Sequence, residues 1–214
     1  MDSCEGFILA GGMSSRMGKD KSRLELGGRT FVERIADALT AVTGKVSIVG
    51  ANPSEDNETF KLPAHVLGDV CSLPLVNDVF EKWGALGGLH GALAASRGEW
   101  TAVVACDLPF VTADLFKRLA SKRDGFDAVV ARQEDGRAQP LCAFYRTSTC
   151  RPTAENLIKV GERRPMTLLQ SVRTRWVAFA ELADLEGANY FFENVNTPDD
   201  YARAQLRETR QQSE

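Results

Sequence analysis

The sequence is poor in the residues from which most metal centres, disulfide frameworks and nucleophilic catalytic sets are built. Its 214 residues include two histidines, His65 and His90, and five cysteines. The cysteines form no C-x-x-C pair, and neither histidine has another at metal-ligand spacing. We interpret the cysteines as reduced thiols, with Cys106 and Cys142 as small core residues. No Ser-His-Asp set is visible either.

Excess basic charge and long apolar runs are also missing. The net charge of −3 indicates that the protein lacks the excess of basic residues that binding to nucleic acid or to anionic membranes requires. The first residues lack the basic and apolar regions of a secretion signal, and no apolar run reaches the roughly 18 residues of a membrane span. We therefore expect a cytoplasmic protein without nucleic-acid or membrane partners. Its length fits a single domain over residues 1–207, followed by a polar tail at 208–214.

The most informative stretch follows the first apolar run, Phe7 to Ala10, which predicts a buried strand. It continues into a loop that contains Gly11, Gly12, Arg16, Gly18 and Lys21. Glycines let a backbone close around a ligand, so that several amide groups can point at one anion. Arginine and lysine supply positive charge to phosphoryl oxygens. The loop therefore predicts a phosphate site, with a plain glycine turn and a solvated basic face as the alternative.

Two better-known phosphate loops do not fit this stretch. A Walker loop requires G-x-x-x-x-G-K-[ST], but five residues separate Gly12 from Gly18, and Asp20 follows Lys19 where a hydroxyl is required. The dinucleotide fingerprint G-x-G-x-x-G also fails, because Gly11 and Gly12 are adjacent. The stretch is therefore neither of these two loops.

A second signal comes from the most strand-like run in the chain, Trp100 to Ala105, which is followed by Cys106-Asp107-Leu108-Pro109. An aspartate at the carboxyl end of a central parallel strand points into the crevice where such sheets bind ligands. Magnesium takes one or two carboxylates together with phosphate and water oxygens, so Asp107 is a candidate magnesium ligand. Asp107 could instead cap the next helix, but Thr112 is better placed to do so.

Strand and helix patterns alternate through the first 125 residues or so. They predict a Rossmann-like three-layer α/β/α fold with a mainly parallel sheet and a small accessory β element in the second half. A capping box at Thr30 begins the first helix. Residues 53–63 are expected to form a loop or short helix and 64–67 a strand, and residues 68–75 show no clear pattern. Strands are expected at 126–131 and 139–145 and beginning at 191, and helices at 153–160, at 167–172 and after Thr197.

Five motifs, in order along the chain, resemble those of the molybdenum cofactor guanylyltransferases, MobA-like members of the wider nucleotidyltransferase group. The first motif is the loop, which reads L-A-G-G-x-S-S-R-M-G-x-D-K, and the second is a glycine-rich element with Asp78, Gly84, Leu86 and Gly88. The third is C-D-x-P, which contains Asp107, and the fourth is Q-P-L-x-A-x-Y, which begins at Gln139. The fifth is F-x-N-x-N-T-P, which contains Asn194 and Asn196. The chain departs from the family at Ala85, where proline is usual, which leaves φ at that position unfixed.

The resemblance implies a nucleotide-diphospho-sugar transferase-like fold and transfer of GMP from magnesium GTP to the terminal phosphate of molybdopterin. Pyrophosphate is released, and enzymes that hand over or accept molybdopterin are candidate partners. The candidate catalytic residues are Arg16, Lys21 and Asp107. The candidate GTP-binding residues are Leu9, Ala10, Gly11, Gly12, Gly18, Lys21, Asn52, Asp78 and Gly88. The candidate acceptor-binding residues are Gln139, Asn194 and Asn196. Asn52 lies in the turn after the second strand, and turn formation alone also accounts for it.

Two alternatives remain open. A relative that transfers a cytidylyl group to molybdopterin, or a nucleotidyl group to another small phosphorylated acceptor, would share the loop and the aspartate. Cytidylyl relatives tend to read L-A-A-G where this chain has Leu9-Ala10-Gly11-Gly12, which favours guanine. The second alternative is a nucleotide-binding regulator without catalytic activity. Such a protein is expected to have lost loop residues or the metal-binding carboxylate, whereas Lys21 and Asp107 are both present here.

The base preference can be tested by thermal shift with GTP, CTP, ATP and UTP in the presence of magnesium. We expect GTP to raise the melting temperature most, because at equal concentration the nucleotide that binds most tightly stabilises the folded state most. Stabilisation by CTP alone would reverse the assignment of the base.

Overall fold

The structure, a computed structural model, describes residues 3–10, 24–50, 59–61, 72–76 and 83–211. The strands in these ranges are β1 Cys4–Leu9, β2 Glu25–Leu26, β3 Arg29–Thr30, β4 Lys45–Val49, β5 Thr59–Lys61, β6 Ser72–Val76, β7 Trp100–Ala105, β8 Ala128–Arg132, β9 Ala138–Arg146 and β10 Thr174–Val177. The α-helices are α1 Phe31–Thr40, α2 Gly84–Ala95, α3 Ala113–Ala120, α4 Thr147–Lys159, α5 Pro165–Ser171 and α6 Pro198–Gln211. Short 3₁₀-helices span Phe179–Glu181 and Ala188–Tyr190.

Eight of the described strands form one sheet in the order β10-β8-β9-β7-β1-β4-β6-β5. The strand β1 pairs in parallel with β4 and β7, and β4 pairs in parallel with β6. The strand β9 is antiparallel to both β7 and β8, β10 is parallel to β8, and β5 is antiparallel to β6. Hence β1, β4, β6, β7, β8 and β10 share one direction, and the predicted mainly parallel sheet is confirmed.

Helices cover both faces of this sheet because successive strand residues point alternately into two cores. On β1, Ile8 faces the core that contains residues of α1 and α3, whereas Phe7 and Leu9 face the core that contains residues of α2, α4 and α5. This arrangement is the predicted three-layer α/β/α fold. Among the described residues, no helix combines the length and the apolar character that a membrane crossing requires.

Several element boundaries follow local signals in the sequence. The strand β7 occupies the predicted Trp100–Ala105. Before α1, the Thr30 hydroxyl accepts a hydrogen bond from Glu33 N at 3.2 Å, and the Glu33 carboxylate accepts one from Thr30 N at 2.6 Å. The predicted capping box is therefore present. The side chain of Thr112 caps α3, so that helix does not need Asp107 as its cap.

The far edge of the sheet differs from the expectation. Instead of a loop or short helix throughout 53–63, Thr59–Lys61 forms β5, and β6 occupies the second half of the stretch 68–75 that shows no clear pattern. Pro74 lies inside β6 and interrupts the pattern of a strand, which explains why the sequence does not reveal it. The strand expected at 64–67 lies outside the described residues.

The second half also requires corrections. Its strands β8, β9 and β10 belong to the main sheet, and the separate small β element is instead the β2-β3 ribbon of the first half. The helix α4 begins at Thr147, before Pro152 rather than after it, because Thr147 N donates to Glu99 O at 2.9 Å and fixes an earlier start. The helix α6 continues to Gln211, beyond the expected domain end at 207.

The expected strand beginning at 191 is wrong as well. Residues 191–197 contain turns and irregular backbone instead. The motif does begin a helix as expected, because Asp200 N donates to Thr197 Oγ1 at 3.2 Å and Pro198 opens α6.

At the amino edge of the sheet, Asp127 connects the start of β8 to β10 and α4 through side-chain hydrogen bonds. This carboxylate is 6% exposed and accepts hydrogen bonds from Nε and Nη2 of Arg173, just before β10, at 2.9 and 3.2 Å. The hydroxyl of Thr149 on α4 donates to it at 3.4 Å. The hydrogen bonds from Arg173 are the largest cause that lowers the pKa of Asp127 from its usual value.

Replacing Asp127 by asparagine is expected to lower the free energy of unfolding at neutral pH by about 1–3 kcal/mol, the range for hydrogen bonds to a charged group. Because the folded-state pKa is lowered, the contribution is complete above the unfolded value of about 3.9 and is lost as pH falls below it. Urea unfolding at neutral pH and near pH 3 should therefore give a difference between wild type and Asp127→Asn that shrinks in acid.

The control is Asp135→Asn, because Asp135 forms a solvent-exposed pair with Arg137. It should leave the stability nearly unchanged at both pH values. A difference for Asp127→Asn that is the same in acid and at neutral pH would contradict the role given to the charge of Asp127.

Candidate active site

The candidate site begins where β1 and β7 end side by side. The two strands are parallel and in register, with Leu9 opposite Ala105. Beyond the ladder, Cys106 N donates to Leu9 O at 3.0 Å, and Ala10 N donates to Val49 O of β4 at 2.9 Å. Leu9, at the start of the glycine-rich motif, therefore lies next to Cys106, the residue before Asp107. Both are at the carboxyl edge, as the sequence predicts.

The turn after β7 holds Asp107 at this edge. Leu108 N donates to Ala105 O at 3.2 Å, and Asp107 itself is half-buried. The backbone carbonyl of Asp107 accepts a hydrogen bond from Val195 N at 3.0 Å. This bond brings Asn194-Val195-Asn196, which we call the asparagine motif, directly to the candidate metal ligand, although the two are almost ninety residues apart in sequence.

Burial alternates along the asparagine motif although it is not a strand. Val195 is 1% exposed, whereas Asn194 is exposed and Asn196 is half-buried. The side chain of Val195 belongs to a small core beneath the segment. This anchoring leaves the two asparagines outside that core, and their role in binding an acceptor stays a prediction from the sequence.

Gln139 lies at the same edge because β9 runs against β7. Cys142 on β9 pairs with Val104, close to the end of β7. Gln139 precedes Cys142 by three residues, and its neighbour Ala138 pairs with Arg132 at the end of β8. The candidate acceptor residues Gln139, Asn194 and Asn196 thus all belong to segments at the carboxyl edge.

The glycine-rich segment forms helix α2, which packs closely on β1. A Cβ atom added to Gly88 would lie 3.8 Å from Leu9 Cδ1, which is ordinary van der Waals contact. Gly84, the first helical residue, has φ +72°, a backbone conformation that favours glycine. The helix follows β6, so its first turn lies towards the same carboxyl edge, and Ala85 is accommodated in that turn.

Seven of the candidate residues lie outside the residues that the structure describes: Gly11, Gly12, Arg16, Gly18, Lys21, Asn52 and Asp78. Their roles remain predictions from the sequence. The described candidates Leu9, Ala10, Gly88, Asp107, Gln139, Asn194 and Asn196 all belong to segments that reach the carboxyl edge or pack against the strands that end there.

The described part of the chain contains no cluster of three or more acidic, cysteine or histidine ligands that could hold a metal ion by itself. A single carboxylate beside a bound nucleotide would nevertheless match the preference of magnesium, which completes its shell with phosphate and water oxygens. Asp107 supplies such a hard oxygen ligand, so the donor set fits a metal that is bound together with a nucleotide.

The described cysteines are buried thiols, in agreement with the expectation from the sequence. Burial raises the pKa of Cys142 to about 12 and that of Cys4 to about 11, so both stay protonated at neutral pH. Cys106 is 9% exposed and packs in the core beside α1 and α3. A nucleophilic thiolate requires a lowered pKa, which neither Cys4 nor Cys142 has.

Sequence analysis misses the residues that hold the edge segments together. Arg34 Nε donates to Pro109 O at 3.3 Å, and its Nη1 donates to Leu26 O at 3.4 Å and to Glu208 at 2.7 Å. Arg207 on α6 contacts Tyr190 and an acid beside the asparagine motif. The local sequence shows only a charged residue on an amphipathic helix in each case, Arg34 on α1 and Arg207 on α6, and such residues usually belong to a solvated face.

An α/β/α domain in which a glycine-rich motif and an acidic residue leave adjacent parallel strands belongs to the class of nucleotide-binding α/β proteins. The family model described as the MobA-like NTP transferase domain matches residues 6–175. The chain therefore belongs to the MobA-like NTP transferase family, a family of nucleotidyltransferases.

Individual relatives agree with this membership. A probable molybdenum cofactor guanylyltransferase of Pelotomaculum thermopropionicum is 33% identical and covers 94% of this chain and 91% of its own length. The molybdenum cofactor guanylyltransferase of Yersinia pestis is 32% identical over 91% of each chain. The crystal structure of molybdopterin-guanine dinucleotide biosynthesis protein A from Archaeoglobus fulgidus superposes with a TM-score of 0.75 at 23% identity, covering 96% of this chain and 99% of that one. This last likeness supports the fold.

The role of Gly88 can be tested by Gly88→Ala. We expect the free energy of unfolding to rise by up to about 1 kcal/mol, because alanine is the better helix former and its methyl group has room beside Leu9. If a nucleotide lies against Gly88, the same methyl group should weaken GTP binding by about tenfold, a cost of about 1.4 kcal/mol.

Calorimetry with GTP and magnesium would measure the affinity, and urea unfolding the stability. Gly44→Ala is the control, since a Cβ atom there meets nothing within 4 Å and Gly44 precedes β4 at the opposite edge. Unchanged GTP affinity in Gly88→Ala would remove Gly88 from the site.

Proposed function

We propose that this protein transfers GMP from magnesium GTP to the terminal phosphate of molybdopterin, forming molybdopterin guanine dinucleotide and releasing pyrophosphate. The names of its relatives supply the reaction. The structural observation that supports it is the hydrogen bond from Cys106 N to Leu9 O, which sets the start of the glycine motif beside Asp107. A nucleotide on one segment would then lie within reach of a metal ion on the other.

The reaction needs no covalent enzyme intermediate. A phosphate oxygen of molybdopterin forms a bond to the α-phosphorus of GTP as the bond from that phosphorus to the pyrophosphate oxygen breaks. Charge on the phosphates is the main obstacle, so positioning and neutralisation supply the catalysis. Arg16 and Lys21 are proposed to neutralise the triphosphate, with main-chain amides of the glycine loop around it.

Asp107 is proposed to hold the divalent metal, for which magnesium is the specific candidate. Bound there, magnesium would neutralise the charge shared by the α-phosphate and the acceptor phosphate. The tight turn at Leu108 and the bond from Val195 N fix the backbone of Asp107 on both sides. The backbone that carries this carboxylate is therefore held in place by its neighbours.

The two substrates are proposed to occupy opposite sides of Asp107. The GTP side consists of Leu9, Ala10, Gly11, Gly12, Gly18, Lys21, Asn52, Asp78 and Gly88. The acceptor side consists of Gln139, Asn194 and Asn196, whose amide groups can both donate and accept hydrogen bonds. In support, β7 separates β9 from β1, so Gln139 and the first loop leave the sheet on different sides of Asp107. Acceptor-handing enzymes remain candidate partners.

The test is GTP-dependent pyrophosphate release in the presence of molybdopterin, with the wild type, Lys21→Ala and Asp107→Asn. Each substitution removes one charge that stabilises the transition state, so turnover should fall by about a hundredfold or more. Lys45→Ala and Asp124→Asn serve as matched controls, because both side chains are exposed and lie away from the carboxyl edge.

Near-normal turnover in both Lys21→Ala and Asp107→Asn would remove the proposed site. Turnover by the wild type with CTP and not with GTP would instead support the cytidylyl alternative. Nucleotide binding without any pyrophosphate release would support a non-catalytic regulator.

A further inference from the structure

The side chain of Arg207, on the C-terminal helix α6, lies between two aromatic rings and an acid. Its guanidinium carbon is 3.8 Å from the centre of the Tyr190 ring and 5.5 Å from that of Phe110. The same guanidinium forms a salt bridge with Glu193, and both charged side chains are largely buried, with 24% and 29% exposure. An arginine can stack its planar cation on an aromatic face and still bind a carboxylate.

The residues that Arg207 contacts belong to the two segments that meet at Asp107. Phe110 follows Asp107 by three residues, and Glu193 immediately precedes Asn194. The backbones of these segments are joined where Val195 N donates to Asp107 O at 3.0 Å. Arg207 therefore lies across a junction between the candidate metal ligand and the candidate acceptor residues.

A separate small core supports the same junction. Its buried members are Leu24, Leu26, Phe31, Phe110, Val195 and Ala204. They come from the ribbon that follows the glycine loop, from the start of α1, from the Asp107 turn, from the asparagine motif and from α6. In addition, Tyr201 donates its hydroxyl hydrogen to Glu25 O at 2.6 Å. The helix α6 thus covers the point where segments from both sides of the crevice come together.

The asparagine motif depends on such side-chain contacts because it is not paired in a sheet. From Phe191 to Asn196 the backbone is irregular. Asp200 accepts hydrogen bonds from Asn196 N at 3.0 Å and Thr197 N at 2.8 Å, which fixes the end of the segment next to α6. At the other end, the salt bridge to Arg207 anchors Glu193. An apolar side chain in place of Arg207 could fill the space, but it could not bind that carboxylate.

We propose that Arg207 is a positioning residue for the acceptor side of the active site: by binding Glu193 between Tyr190 and Phe110, it sets the asparagine motif against Asp107. The proposal rests on the proposed function, since it assigns Asn194 and Asn196 to the phosphorylated acceptor. Arg207 acts through these residues and itself touches neither substrate.

The first test compares Arg207→Met with the wild type in steady-state kinetics with both substrates. Methionine retains the apolar stem but loses the charge. We expect the KM for molybdopterin to rise about tenfold, with the KM for GTP unchanged, because only the acceptor segment loses its anchor. Arg151→Met is the matched control, since Arg151 is exposed on α4, which begins at the opposite, amino edge of the sheet. It should change neither KM.

A second measurement does not depend on activity. Hydrogen exchange at Val195 N–H, which bonds to Asp107 O, should become about tenfold faster in Arg207→Met. Exchange at Cys106 N–H, which bonds to Leu9 O within the sheet, should stay the same. Arg207→Lys should restore part of the protection, because it keeps the charge without the planar stacking. Glu193→Gln should reproduce the effects of Arg207→Met if the latter fails to fold.

The outcomes separate the two proposals. Wild-type protein that releases no pyrophosphate with GTP and molybdopterin would defeat the proposed function, and hydrogen exchange alone would then judge whether Arg207 holds the segment. Unchanged exchange at Val195 would overturn the positioning role. Equal increases in both KM values, or faster exchange at Cys106 as well, would indicate a general structural role and would also overturn it.

Discussion

The parallel, in-register pairing of β1 with β7 is the constraint on which the site depends. It sets Leu9 opposite Ala105, and one further hydrogen bond joins Cys106 to Leu9. Side chains alternate along a strand, so a slip of one residue would exchange the faces of β7. Val103 and Val104, which fill opposite cores, would then each face the core that is packed for the other. Core packing therefore fixes the register, and the register fixes where Asp107 leaves the sheet.

Contacts that stabilise the sheet and residues of the candidate active site lie at opposite edges of the sheet. At the amino edge, Asp127 and Arg173 join β8 to β10 through a buried carboxylate with a lowered pKa. At the carboxyl edge, loops and helix starts meet, and their positions depend on a small third core and on charged residues of α6. A site made of irregular segments can bind a large nucleotide because its backbone groups are not used in a ladder, but it requires supports such as Arg34 and Arg207.

Local signals allowed much of the fold to be predicted. A continuous apolar run defines β7 because a central parallel strand is buried on both faces, and the capping box at Thr30 marks α1 because it satisfies backbone groups within one turn. The irregular backbone after Phe191 and the strand β6 with Pro74 were not predictable in this way. The strand β6 forms because it pairs with β4 and β5, whereas the segment after Phe191 has no strand partner and stays irregular.

The sequence by itself determined the family and the alternation of strands and helices, and it supplied the candidate groups for acting on phosphates, because motif spacing and periodicity are local properties of a chain. Only the tertiary structure decided that the asparagine motif reaches Asp107, through Val195, and that Arg34 and Arg207 support this junction. These contacts join residues far apart in sequence. Their geometry depends on how whole layers pack, and no local pattern of residues encodes it.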